Sequence, residues 1–173
     1  MGDDPTQRAR AGLPRRLAAL FYDLLLVVAI SFVATFAMLP LTRGEAILTS
    51  TQGHIGRIYH ALLVALAFGY FGLCWTRSGQ TLGLRAWRLR LESELGGRLG
   101  WTQAIGRFLL AGGAGVLAVL GLWYMHAAAS AVARAAAALL LAPAVLDFAW
   151  IAFDREGRSL LDLAVRARVR RLA

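Results

Sequence analysis

The stretch that decides the fold is LPRRLAALFYDLLLVVAISFVATFAML at positions 13–39, where two arginines lead directly into a long apolar segment. Positions 17–39 are long enough to cross a membrane, because about 20 helical residues at ~1.5 Å each match a hydrocarbon core roughly 30 Å thick. Asp23 is the ionisable residue inside this segment. An Asp near the middle of such a helix costs on the order of 2.5–3.5 kcal/mol to insert, so we expect it to face the protein interior and have a partner there. Arg16 lies almost two turns earlier and marks the same inward face.

Three further apolar blocks have the length of membrane spans, at 58–75, 108–125 and 135–153. Hydrophobic residues make up 58% of the chain and fall in long uncharged blocks, which is typical of membrane proteins. Pro143, inside the last block, predicts a kink one turn before Asp147, because proline removes a backbone hydrogen bond. The sequence therefore predicts one all-α membrane domain over 1–173, a four-transmembrane-helix bundle with a flexible tail at 1–12, a loop at 76–106 and a tail at 154–173.

The arginines predict how this bundle is oriented. The chain has 19 basic residues and a net charge of +9, and all but three of the basic residues fall in the N-terminal tail and the start of the first span, in the 76–106 loop with its helix flanks, or in the C-terminal tail. The exceptions are Arg43, Arg57 and Arg134. By the positive-inside rule, both termini and the 76–106 loop are cytoplasmic. Membrane topology explains the charge better than nucleic-acid binding, because the arginines flank apolar blocks and are not interleaved with stacking aromatics.

The cytoplasmic loop carries a strand-like alternation. Apolar and charged residues alternate over 87–92, and Gly96-Gly97 then turns the chain towards 98–101, which predicts a small cytoplasmic β-hairpin. We expect its apolar face to rest on the membrane or the helix ends and its arginines to lie near anionic lipid headgroups. Positions 165–170 alternate in the same way, so the tail is either a third strand beside the hairpin or a basic amphipathic surface helix.

Three acids are the candidate functional residues. Asp23 and Asp147 each lie roughly six residues from the cytoplasmic end of their span, so at ~1.5 Å per residue both are ~9 Å deep. Two acids at one depth either bind a cation or share a proton, or each pairs with an arginine, Arg16 or Arg107, as a structural lock. Asp162 stands where a capping box places its acid, which favours helix capping over ion binding.

Motifs for catalysis and cofactor binding are missing from the sequence. No nucleophile is paired with a base in a recognisable motif, and no Gly-rich phosphate loop joins a strand to a helix. The three histidines, His54, His60 and His126, do not have the spacing of metal ligands. We therefore expect neither enzymatic activity nor a bound metal or cofactor.

The order of these motifs resembles the RDD family of small bacterial membrane proteins, which is named for one Arg and two Asp. Arg16 and Asp23 match the first two of these residues and Asp162, within a Leu-x-Asp-Leu sequence, matches the third. An arginine, Arg107, opens the third helix, and the cytoplasmic loop carries the Gly-x-Thr-x-Gly-x-Arg pattern as Gly79, Thr81, Gly83 and Arg85. One departure is Leu84, which stands where the family often has Lys.

The resemblance implies a protein of the bacterial cytoplasmic (inner) membrane and two alternative functions. Some members of the family are linked to sodium or proton antiport, which here would use the membrane acids in a homo-oligomer built on small-residue helix faces. Others look like accessory domains, which implies a non-transporting partner of another membrane protein or of anionic lipid. Polar residues inside the spans are few for coordinating a desolvated ion, whereas a scaffold has no evident use for two acids at one depth.

Overall fold

The computed structural model describes residues 11–40, 53–154 and 156–172. Five helices come from the four apolar blocks: α1 (Leu13–Met38), α2 (His54–Arg77), then after a polar segment α4 (Trp101–Ala127), and finally a pair, α5 (Ala131–Leu139) and α6 (Ala142–Phe153). The described residues also form two short helices and two strands: α3 (Leu82–Ala86), β1 (Leu89–Ser93), α7 (Leu160–Ala164) and β2 (Ala167–Arg171).

The helices α1, α2 and α4 are each long and apolar enough to cross a membrane. The helices α5 and α6 reach that length only together, and they are bent by 56° where they meet. Pro143 lies in the first turn of α6, where a missing backbone N–H costs nothing, so the chain starts a new helix there. The predicted kink is confirmed, and the described residues contain three candidate spans, or four if the bent pair counts as one.

The polar segments after α2 and after α6 fold into the same unit. Each begins with a glycine at positive φ, Gly79 (69°) or Gly157 (67°). Next comes a hydroxyl N-cap, Thr81 or Ser159, whose oxygen accepts the backbone N–H three residues later at 3.1 Å. A five-residue helix follows, α3 or α7, and then an arginine and a five-residue strand. We call the two units, residues 79–93 and 157–171, the cap.

The arginine that precedes each strand also has the same backbone conformation in both units. Arg88 (φ 53°) and Arg166 (φ 51°) both adopt the left-handed conformation, which is uncommon for any residue with a side chain. Both units fit the pattern Gly-x-Thr/Ser-Leu-x-x-x-Ala-x-Arg-x-Arg. The cap is therefore an internal repeat that the sequence analysis missed.

The two strands pair with each other to form a two-stranded antiparallel sheet. Leu91 lies opposite Val169, and these residues hold the same place in their two units, so a pseudo-twofold axis passes through this pair. The hydrogen bonds at the two ends also correspond: Leu172 N donates to Arg88 O (2.8 Å), and Glu94 N donates to Arg166 O (2.9 Å).

A small antiparallel sheet was expected, and the tail does supply a strand, but the predicted partner of β1 is wrong. Residues 98–101 do not return alongside β1, because Gly96 and Gly97, both at positive φ, direct the chain to the N-terminus of α4. Gln103 fixes that start by accepting a hydrogen bond from Gly100 N at 3.0 Å. The strand from the tail takes the place beside β1.

The apolar core lies beneath this sheet. Leu89, Leu91 and Ala167 are at most 1% exposed and point towards the same side. They pack against Ala19 of α1, Trp75 of α2 and Ala104 of α4, which lie near one end of the long helices. The apolar face of the sheet thus rests on the helix ends, one of the two placements predicted from the sequence.

Candidate functional site

Among the described residues, Asp162 is the most deeply buried acid, with an exposure of 0%. Its Oδ2 accepts hydrogen bonds from Arg16 Nη1 (2.7 Å) and Ser159 N (3.3 Å), and its Oδ1 accepts one from Arg107 Nη1. These three donors belong to α1, the start of α7 and α4. Asp162 therefore ties two long helices to the second unit of the cap.

Arg16 extends this network through its remaining nitrogens. Its Nη2 donates to Gly157 O at 2.6 Å and its Nε to Ala11 O at 3.2 Å. The Arg107 guanidinium lies 5.5 Å from the ring centre of Trp75, a cation–π distance. Both arginines are held on more than one side, as buried guanidinium groups require.

The electrostatics of Asp162 follow from these contacts. Burial alone would raise its pKa, but the charges of Arg107 and Arg16, together with their hydrogen bonds, lower the pKa below its usual value. The carboxylate is therefore ionised at neutral pH, and the cluster carries two positive charges against one negative charge.

Asp23 forms a second buried cluster, in which none of the described arginines takes part. It is 4% exposed, and its Oδ1 accepts hydrogen bonds from Tyr70 Oη and Gly83 N, both at 2.9 Å. Its Oδ2 accepts one from Thr81 Oγ1 at 2.5 Å. Tyr70 Oη in turn accepts from Leu82 N at 3.0 Å. Asp23 therefore fastens the first unit of the cap to α1 and α2.

Gly83 is required by how closely this unit approaches α1. A Cβ atom there would lie 2.1 Å from Ala19 O and 2.8 Å from Asp23 Cγ. Real Cβ atoms do not come that close to backbone oxygen, so any side chain would push α3 away from α1. The second glycine of the Gly-x-Thr-x-Gly-x-Arg pattern thus has a packing role.

Asp147 fastens the second unit in a corresponding way. It is 6% exposed, and its Oδ1 accepts a hydrogen bond from Leu161 N at 2.7 Å. Leu161 is the second residue of α7, just as Gly83 is the second residue of α3. Each short helix therefore has the same backbone N–H bound by a carboxylate from a long helix, which gives the two acids corresponding structural roles.

The structure places the predicted residues in a different arrangement from the sequence hypothesis. The burial of Asp23 and Asp147 is confirmed. The hypothesis that each of these acids pairs with Arg16 or Arg107 is wrong. Both arginines bind Asp162 instead. The capping role predicted for Asp162 is confirmed by its bond with Ser159 N, and Arg85 is exposed.

A metal site would need several ligands close together. Within residues 11–40, 53–154 and 156–172, His, Cys, Asp and Glu form no group of three that could hold a metal ion. The oxygen atoms of Asp23, Tyr70 and Thr81 lie close together, but they are joined by hydrogen bonds. The hydroxyls of Tyr70 and Thr81 both donate to the Asp23 carboxylate.

The fold and the two clusters define a class: a helical membrane protein whose buried polar residues fasten a small cap to the helix ends. A family model described as the RDD family matches residues 10–166, so the chain belongs to the RDD family. No curated protein and no solved structure matches the chain.

Proposed function

We propose that this RDD protein is a non-enzymatic accessory subunit of the bacterial cytoplasmic membrane, with four spans and with both termini and the cap on the cytoplasmic side. The arginine distribution supports this orientation by the positive-inside rule. Four of the arginines counted there, Arg8, Arg10, Arg43 and Arg155, lie outside the described residues, as does the tail at 1–10. The remaining arginines give the same orientation, because many belong to the cap.

One observation supports an accessory role over transport: the two buried acids with the most hydrogen bonds, Asp23 and Asp162, bind donors of their own chain. Asp23 accepts three hydrogen bonds and Asp162 accepts two from arginines and one from a backbone N–H. An ion entering either cluster would have to displace these donors and so detach the cap from the helices. Structural fastening is a sufficient reason for a membrane protein to keep costly buried charges.

A rigid cap at the membrane surface suits binding to another membrane protein. The turn after β1 presents Leu95, which is 83% exposed and is a large apolar side chain at the edge of the cap. We choose Leu95 as the contact point to test, because its side chain is almost fully exposed on the turn that follows β1.

Cation or proton transport is the second candidate, and Asp147 is the observation that favours it. This buried acid accepts a single hydrogen bond among the described residues, from Leu161 N, and it lies in α6 shortly after the break between α5 and α6. Broken helices with an ionisable residue nearby form the ion sites of many transporters. Transport would require a homo-oligomer, for which Gly112, Gly113 and Gly115 of α4 offer open space.

The two candidates are separated by a flux measurement on pure protein in liposomes that contain a pH-sensitive dye. An accessory protein produces no proton flux under sodium, lithium or potassium gradients. Cation-dependent flux that is lost in Asp147→Asn, while Glu156→Gln at an exposed position retains it, would establish transport instead.

The accessory role is tested in intact cells by photo-crosslinking. A photo-reactive residue in place of Leu95 should give one discrete crosslinked membrane protein, whereas the same residue in place of Val132, 80% exposed in α5, should not. Crosslinks of equal yield and identity from both positions would contradict a partner contact at the cap.

A further inference from the structure

The two ends of the sheet differ in charge although the pseudo-twofold axis relates their backbones. At the end that begins with Trp87, the charged side chains are Arg88, Arg90, Arg170 and Arg171, and Arg171 lies opposite Leu89, on the face that Leu89 shares. We call the first three of these arginines the Trp87 end. The corresponding positions at the other end, which begins with Val165, are Arg166, Arg168 and Glu92, with Glu94 beyond them. Two acids therefore lie among the arginines of that end, and Arg158 also contacts one of them, Glu94, at 2.8 Å. No acid holds a corresponding place at the Trp87 end.

The Trp87 end contains a like-charged pair that the pairing of the strands enforces. Arg90 and Arg170 lie directly opposite each other in the antiparallel register, and both are exposed on the face turned away from the core. Like charges directly opposite each other destabilise a sheet. Only Arg170 has an acid near it among the described residues, Glu92, at 3.6 Å between Nε and Oε2. An anion between the two guanidinium groups would remove the repulsion.

The aromatic residues beside these arginines indicate which anion the arginines can bind. Trp87 packs edge-on against Tyr22 of α1, with the ring centres 6.5 Å apart. The two rings are 37% and 53% exposed, and Leu82 beside them is 56% exposed. Tyr22 belongs to a candidate span, so the Trp87 end lies beside the lipid-facing surface of that helix. Exposed tryptophan and tyrosine next to arginine are typical of the headgroup level of a membrane.

We propose that the Trp87 end binds the phosphate of an anionic phospholipid, with Arg90 and Arg170 on either side of the phosphate and Arg88 at the edge next to the bilayer. Arginine suits this ligand because its planar donor groups match phosphate oxygens. The proposal rests on the proposed membrane orientation and names the lipid contact of the cap. It is independent of whether the cap also holds a partner protein.

The test uses the full-length protein purified in a non-ionic detergent and a fluorescent short-chain phosphatidylglycerol as the probe. The variant carries Arg90→Gln and Arg170→Gln, and the matched control carries Arg166→Gln and Arg168→Gln, which removes the same charge from the other end. Because it lacks both arginines at the phosphate, the first variant should bind roughly tenfold or more weakly. The control variant should bind within about twofold of the unmodified protein, and phosphatidylcholine of equal chain length should bind weakly to all three.

Several results would overturn the proposal. Equal loss in both variants would show general attraction to net charge, and no loss in the first variant would show that the lipid binds elsewhere. Displacement of the probe by millimolar inorganic phosphate would identify a soluble anion as the ligand. Melting temperatures of both variants establish that each is folded, and the crosslink at Leu95 reports separately on the accessory role.

Discussion

The cap and the outer parts of the spans are stabilised by different means. In the cap, Leu89, Leu91 and Asp162 have exposures of 0–1%, and the buried acids have donors from several elements. In the most apolar windows of α1, α2 and α4, only 11%, 11% and 6% of the residues are buried within the chain. Lipid surrounds such surfaces and is as apolar as leucine, so it gives little reason for one helix arrangement over another. The polar cap therefore fixes how these helices are assembled.

The opposite end of the molecule illustrates the contrast. A shallow cavity of about 410 Å³ opens between the end of α4 and α5, and it is lined mostly by alanines with Tyr124 and Leu140. Ser130, the exposed N-cap of α5, is a polar residue at this end. If the cap fixes how the helices are assembled, substitutions in the cap will lower the stability far more than similar substitutions at this end.

The largest expected effect is that of Asp162→Asn. This change leaves the guanidinium groups of Arg16 and Arg107 buried without a counter-charge, and breaking a buried ion pair costs about 3–5 kcal/mol. Thermal unfolding of the purified protein in detergent should show a large decrease in melting temperature. Glu156→Gln, which removes a carboxylate that is 61% exposed and 3.6 Å from Arg158, is the matched control. A decrease no larger than that of the control would disprove the central role of Asp162.

Acid should remove the same contribution without a mutation. Because the pKa of Asp162 is lowered in the folded protein, the stabilisation from its ion pairs is complete above the usual carboxyl pKa of about 3.9 and is lost as the pH falls through the lowered value. The difference in melting temperature between the unmodified protein and Asp162→Asn should therefore be constant near neutral pH and shrink under strong acid. A difference that disappears already between pH 6 and pH 5 would contradict this assignment.

A smaller but still large effect is expected for Gly83→Ala. The added methyl group would overlap Ala19 O, and inserting atoms into such a packed contact typically costs about 1–3 kcal/mol. Gly113→Ala in α4 is the control, since a Cβ there meets nothing within 4 Å and alanine favours a helix. The melting temperatures of the two variants should shift in opposite directions or differ clearly. Equal stability would mean that α3 does not pack closely on α1.

The smallest expected difference comes from two serine N-caps with the same geometry. Ser159 in the cap and Ser130 at the other end each accept a backbone N–H at 3.1 Å. Replacing an N-cap serine by alanine costs about 0.5–2 kcal/mol. The cost of Ser159→Ala should be near the upper limit of this range, because Ser159 is 4% exposed and water cannot replace its oxygen. The cost of Ser130→Ala should be near the lower limit, because Ser130 is exposed. The reverse order would mean that the cap is the more adaptable region.

Much of the fold was predictable because the length of apolar blocks and the cost of buried charge depend on local sequence. The burial of Asp23 and Asp147, the break before Pro143 and the alternation in both strands all followed from such signals. The pairing of Arg16 with Asp162 did not, because the two residues are far apart in the chain and several acids could have accepted the same arginine. Strand pairing failed in the same way, since the nearest alternating segment was not the partner.

The repeated unit was a signal that the sequence did contain. Comparing 79–91 with 157–169 reveals the shared Gly-x-Thr/Ser-Leu-x-x-x-Ala-x-Arg-x-Arg pattern. Had it been recognised, the pairing of the two strands with each other and the corresponding roles of Asp23 and Asp147 could have been predicted. The donors Tyr70 and Leu161 would still have been missed, because a span tyrosine and a backbone N–H have no distinctive sequence pattern.

The most direct test of the account is amide hydrogen exchange at Gly83 and Leu161, whose N–H groups bind Asp23 and Asp147. If the acids fasten the cap, both amides exchange slowly with or without sodium, Asp23→Asn accelerates exchange at Gly83 alone, and Asp147→Asn accelerates exchange at Leu161 alone. Exchange that changes on adding sodium, or that is unaffected by either substitution, would contradict the claim that these acids are structural fasteners of the cap.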